Sequence, residues 1–364
     1  MAHDRPADAF ELARFVTRQV RETGKHLLSA SLREAMVCVR DRGVRDRFVA
    51  AFLDCLLDKH DGRFHNRTYL ALALLEAILD DPRSGLDPQR LSALLMADVV
   101  RYETAAAARP LRGDDRPGAR TLGARLAHAR RFVAACGVPE GVPFPVPPDG
   151  MVGEWFAMTA QPVSTVHDEY FFIRSLQCHE MVFTGLAGNV LGATAALRAG
   201  NLPSASEQVE VAVVAFEKAA LLFRVVATMR AQAFHTFREF TQGASAIQSE
   251  AYKRFEIACG RPLAERLRSD AFGNVPAVRV EALARADDLS SAYMDVRRHG
   301  GPERARLDAA LVELERRHQR WKTTHHRLAV RMLGEAAGSG YTAGVPYLRQ
   351  CLANRLFWQL PLVA

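Results

Sequence analysis

Three segments in the second half of the chain concentrate residues able to do chemistry. In HDEYFFIRSLQCHEMVF, residues 167–183, a helix would put Phe172, Leu176, His179 and Phe183 on one continuous face, at i, i+4, i+7 and i+11. Such a face is either a core stripe with one hydrogen-bonded histidine or a wall carrying an acid–base group. In AFHTFREFTQG, residues 233–243, Arg238 sits among Phe234, Phe237 and Phe240 and needs an anionic partner. That partner is either an internal carboxylate, Glu239 or Glu250, or the carboxylate of an amino-acid ligand, which a guanidinium fork holds through two parallel hydrogen bonds. In WKTTHHRLAVRMLGEAAGSGYTAGVPYLR, Trp321, His325, Leu328 and Met332 form an apolar stripe on a helix expected to end near Gly338. His326 then points about 100° away. A neutral imidazole in an apolar wall is what a haem iron takes as its fifth ligand, although a lone buried histidine more often has a structural part. The GSGYTAG loop has no lysine and no preceding strand, so it does not read as a nucleotide-binding loop.

The elements that must position these residues are helices: nearly every segment shows helical spacing of Ala, Leu, Arg and Glu, and period-2 alternation is scarce. The chain should be all-α. Residues 1–137 read as a helical region of unassigned role, including SLREAMVCVRDRGVRDRFVAAFLDCLLDKH and YLALALLEAILDD. The stretch 138–150, VPEGVPFPVPPDG, has five prolines and reads as a linker, leaving 151–364 as the catalytic helical domain. Within it Ser204 to Phe240 contains neither Gly nor Pro, which predicts one bundle helix of roughly 55 Å with a Ser204/Glu207 capping box.

Composition narrows the class of function. The 364 residues are 49% hydrophobic, enough for a large core, and the net charge of +7 comes from dispersed arginines without the dense basic block that grips nucleic acid. Six widely spaced cysteines, with no CxxC pair, read as reduced thiols. No signal peptide is legible in MAHDRPADAFELARFV, and no run is expected to reach membrane-spanning length, which together point to a cytoplasmic protein.

Taken in order, the three segments resemble the tryptophan 2,3-dioxygenase family. HDEYFFI is similar to its HDE-x-x-FII, FREFTQGASAIQS to its FR-[DE]-Y-L-x-x-A-S-G-F-Q-S, and HHRLAVRMLG with GSGYTAGVPYLR to its R-H-x-x-x-V-x-R-M-I-G and G-T-G-G-S-S-G-x-x-Y-L-R. A looser match, GEWFAMTAQPVSTVHDE, precedes them, and residues 1–150 take no part. The resemblance implies a helical bundle of that family's type with an additional N-terminal region. It implies noncovalent haem b with His325 as the axial iron ligand, Arg238 as the substrate-carboxylate clamp, Phe172 against the substrate ring, and Ser339 near its ammonium group. The family's two opening tyrosines fall near Val152 and Trp155, so Trp155 is a candidate substrate contact. At the family's distal histidine this chain has Leu176, which offers no proton, and His179 one turn along is the candidate replacement. Position 329 is Ala where some tyrosine-hydroxylating relatives have a haem-tethering cysteine.

The expected activity is therefore haem-dependent oxygenation of an aromatic L-amino acid, tryptophan or a derivative, at indole C2–C3 by dioxygenation or monooxygenation. Natural-product relatives supply the alternative of ring hydroxylation of tyrosine or a tyrosine derivative with peroxide or O2. A third reading, of another class, is a non-catalytic helical interaction protein on the same scaffold. Expected partners are the amino acid, O2 or H2O2, and further copies of the chain in a dimer or tetramer, without nucleic acid or membrane.

Overall fold

The computed structural model describes residues 6–108, 116–242, 249–296, 300–334 and 344–361. Its described residues are helical apart from loops and one short parallel pair of strands, Phe64–His65 with Thr241–Gln242, so the chain is all-α. It divides into two compact units, one of residues 1–178 with 228–244, the other of residues 179–227 with 245–364. The Pro-rich stretch 138–150 lies inside the first unit.

In the first unit, local chemistry sets the helix starts. The side chains of Ser29, Asp46 and Asp87 accept from the backbone N–H groups of Leu32, Val49 and Arg90, capping helices Ala30–Asp41, Arg47–Leu57 and Pro88–Ala107. YLALALLEAILDD is divided: Tyr69 closes the short helix Asn66–Tyr69, and Leu72–Asp80 begins after Ala71, which adopts a left-handed φ of 49°. Leu91, Leu95 and Val99 of the Pro88 helix and Phe132 and Val133 of the Ala119–Ala135 helix are all buried, and these two helices pack together. Gly24, at φ 83°, lets the chain pass Val163: a Cβ there would stand 2.4 Å from the Val163 carbonyl oxygen. Lys25 and His26 then donate their backbone N–H groups to Pro162 and Val163.

The second unit is built on two long helices, Leu202–Val226 and Pro302–Leu333. They run side by side in the same direction, as the pairings of Glu210 with Arg306, Glu217 with Arg317, and the Ala227 carbonyl with Arg331 require. Their buried faces meet in an aromatic core of Phe183, Phe216, Tyr252, Phe255 and Trp321, with ring centroids 5.1 to 6.3 Å apart.

Four sequence expectations change. The 37-residue helix is two: Leu202–Val226, and Ala231–Arg238 after a break at 227–230. The first is capped by Asn201, whose side chain accepts from the Ser204 N–H, in place of a Ser204/Glu207 box. The Pro302 helix ends at Leu333, ahead of Gly338, because Gly334 turns to φ 56°. Finally, the His167–Arg198 helix is long and apolar enough to cross a membrane by length and composition, with half of its most apolar window buried within the protein. Its charged residues are paired as in a core helix, Asp168 with Arg125 and Arg174 with Asp98.

Candidate functional site

In the first unit the His167 helix presents Phe172 and the Ala231 helix presents Phe234 and Phe237. The Phe172 ring lies 5.6 Å from Phe234 and 5.4 Å from Phe237, centroid to centroid. Leu176, one turn along from Phe172, is buried. Arg238, the last residue of the Ala231 helix, is half-buried, its guanidinium 5.5 Å from the centre of the Phe234 ring. Burial, then the neighbouring Arg63, pull its pKa below the usual arginine value, against a smaller opposing pull from Glu239. A guanidinium remains charged under such a pull.

Trp155 is buried and stacked on Phe48 at 4.7 Å, nearly parallel at 8°, with Arg83 5.6 Å from its ring. Its Nε1–H is buried without a hydrogen-bond partner among the described residues. The rings described around Trp155 do not include Phe172.

In the second unit His179 and His325 share one aromatic neighbour. The His179 ring is 5.1 Å from Phe223, and the His325 ring stacks on the same Phe223 at 5.4 Å and 7°. Trp321 lies 5.8 Å from His325. Burial first, then the nearby His179 and His326, push the His325 imidazole down to about 3. It is neutral at physiological pH and keeps a lone pair for a metal ion. The sequence did not single out Phe223, whose only signal is helical periodicity in AALLFRVV. A groove of about 680 Å³ between the two long helices is lined by Phe223, Leu221 and Leu328 and by arginines including Arg224, Arg320 and Arg327. Leu328 thus turns to this groove, and His325 is not among its lining residues.

Ser339 lies outside the described residues. Among the described residues no group of three or more His, Cys, Asp or Glu could hold a metal ion by itself. A porphyrin-held iron needs one protein nitrogen, and His325 has the chemistry to supply it.

The HDE triplet, chosen in sequence for its motif, is built into a buried polar network. His167 Nε2 is 2.9 Å from a Glu103 carboxylate oxygen. Asp168 accepts from Arg125 at 2.9 Å and from the Arg230 backbone N–H at 3.0 Å. Glu169 accepts from the backbone N–H groups of Val163 and Ser164. Neither Glu103 nor Arg125 carries a motif signal, since each sits in an ordinary amphipathic helix.

Together these features describe an all-helical protein with a neutral histidine against aromatic rings in one unit and a half-buried arginine beside phenylalanines in the other. Comparison with known proteins gives the class a family resemblance. The chain is similar to the tryptophan 2,3-dioxygenase of Burkholderia multivorans, 25% identical over 249 residues that make up 57% of this chain and 80% of that relative. It is similar to those of Burkholderia pseudomallei and Burkholderia orbicola, each 26% identical over 235 residues, 55% of this chain and 77% and 76% of theirs. No protein-family model matches the chain.

Proposed function

We propose that the protein is a haem-dependent oxygenase of an aromatic L-amino acid, tryptophan or a derivative, that adds oxygen across indole C2–C3. The observation that carries this reading is His325: a neutral imidazole stacked on Phe223, standing in a segment that resembles the haem-ligand helix of relatives named tryptophan 2,3-dioxygenase. Haem b, held noncovalently by His325, would supply the binding and activation of dioxygen that protein side chains lack. Arg238 takes the substrate carboxylate as a bidentate partner, and the Ser339 hydroxyl accepts from its ammonium group. Phe172, braced by Phe234 and Phe237, lies against the substrate ring and keeps water from it. Trp155 is proposed as a further substrate contact through its buried Nε1–H, which has no hydrogen-bond partner among the described residues. Leu176 neither gives nor takes a proton, so His179 is the group proposed to hold one near the reacting oxygen. The reading extends to a cytoplasmic protein, as six free cysteines fit a reducing compartment, and to a homo-oligomer.

Leu176 also favours a second reading, ring hydroxylation of a tyrosine-like substrate with peroxide or O2, because an apolar distal wall removes the hydrogen bond that dioxygenation by the family uses. One experiment separates the readings. Protein supplied with haem is expected to show a Soret band that His325→Ala abolishes, and to consume O2 with L-tryptophan. A catechol formed from L-tyrosine alone would replace the first reading by the second. No Soret band would leave the third reading, a non-catalytic helical interaction protein, and a band indifferent to His325→Ala would overturn the assignment of His325 as the iron ligand.

A further inference from the structure

We infer that the residues ahead of Met151 hold the Ala231–Arg238 helix at both of its ends, with Arg125 and Glu103 acting as positioning residues for Arg238. This rests on the reading of Arg238 as a carboxylate clamp.

The helix cannot place itself. It has eight residues, about 12 Å at 1.5 Å per residue, and isolated helices shorter than about 12 residues are marginal in water. Its starting point is instead fixed by side chains from far along the chain. Arg125 is fully buried. It donates through Nη1 to Glu103 at 2.5 Å and through Nη2 to Asp168 at 2.9 Å. It also donates through Nε to the Thr228 hydroxyl at 3.0 Å, and through Nη2 to the Thr228 carbonyl at 3.2 Å. The second oxygen of Asp168 accepts the Arg230 N–H at 3.0 Å and the Arg230 Nε–H at 3.2 Å. Thr228 and Arg230 thus have backbone groups bonded to Arg125 and Asp168 where a continuous helix would bond the Thr228 carbonyl to its next turn and the Arg230 N–H to the preceding one. The chain leaves the Leu202 helix there and restarts at Ala231. The guanidinium also lies 3.6 Å from the centre of the Phe171 ring, so it can shift in no direction without losing a contact.

The other end is tied by a different part of the same N-terminal region. The Phe64 N–H donates to the Phe240 carbonyl at 3.0 Å, and strand Phe64–His65 pairs in parallel with Thr241–Gln242. The His26 ring is 4.0 Å from the Phe240 ring. Arg238 sits between these two ties, two residues before Phe240. Buried ion pairs contribute little net stability but strongly penalise a misplaced partner, which suits a device that sets register.

The test uses the full chain and two readouts, one independent of function. Thr228→Val removes the hydroxyl that accepts from Arg125 at little cost in volume; Glu103→Gln removes one charge of the anchor. Both are expected to speed hydrogen exchange in 231–238 while leaving the Leu202–Val226 helix protected. Binding of L-tryptophan should weaken roughly 10- to 100-fold, the scale of a misplaced binding group. In an Arg238→Leu background, measured at millimolar amino acid, Thr228→Val should add nothing further. Unchanged exchange in 231–238, or a binding loss that adds to that of Arg238→Leu, would overturn the inference. If the unaltered chain binds neither L-tryptophan nor L-tyrosine, the clamp reading falls, and the exchange result alone decides the anchor.

Discussion

At His325 and His318 burial decides protonation. His318 is fully enclosed, 2.9 Å from the Tyr252 hydroxyl, and burial followed by Lys322 pushes its imidazole down to about 4, while His325 is pushed to about 3. An unfolded chain regains ordinary imidazoles near 6.5, so between those values it binds more protons than the folded one. Their contribution to stability is therefore complete above about pH 6.5 and lost as the pH falls toward 4. Each tenfold loss of proton affinity corresponds to about 1.4 kcal/mol, so urea midpoints should fall steeply across that range, and His318→Gln should flatten the fall. A midpoint in His318→Gln as pH-sensitive as in the unaltered chain would contradict the assignment. Single residues were partly legible beforehand: the phenylalanines around Arg238 and the apolar company of His325 could be counted along a helix. Phe223, which touches both His179 and His325, could not, because its helix meets theirs only in the folded chain.

Among the elements, some boundaries are set locally and others from far along the chain. Asn201 caps the Leu202 helix through the Ser204 N–H, and Pro203 fits its first turn. Asn201→Ala is expected to cost about 1 kcal/mol in thermal or urea unfolding, and Ser204→Ala to be near neutral. The reverse order would restore the capping box read from sequence. Nothing within Ser204–Phe240 disfavours a helix, yet it breaks at 227–230, because the groups that satisfy Thr228 and Arg230 are Arg125 and Asp168, about 60 to 100 residues earlier. The 32-residue Pro302 helix is an unbroken run of helix formers closed by Gly334, whereas the equally long His167 helix continues through Gly185, Gly188 and Gly192.

For the whole molecule, the two units interleave along the chain: 228–244 belongs to the first, while 179–227 before it and 245–364 after it belong to the second. A chain beginning at Met151 would lack Glu103, Arg125 and the Phe64 strand, leaving the buried Asp168 with only the part-exposed Arg230 as its cation. It is expected to unfold without a cooperative transition, followed by circular dichroism on heating. A sharp transition with retained amino-acid binding would show the N-terminal helices to be dispensable.

The sequence alone determined what is periodic or contiguous: an all-helical chain and the order of three segments carrying Phe172, Leu176, His179, Arg238 and His325. Those properties depend on neighbours within a turn or two, which a sequence displays directly. Tertiary structure alone decided the break before Ala231, the bonding of HDE to Glu103 and Arg125, and the shared contact of two histidines with Phe223. Each arises where a buried polar or aromatic group must find its partner across the fold, and no local pattern encodes which distant residue that will be.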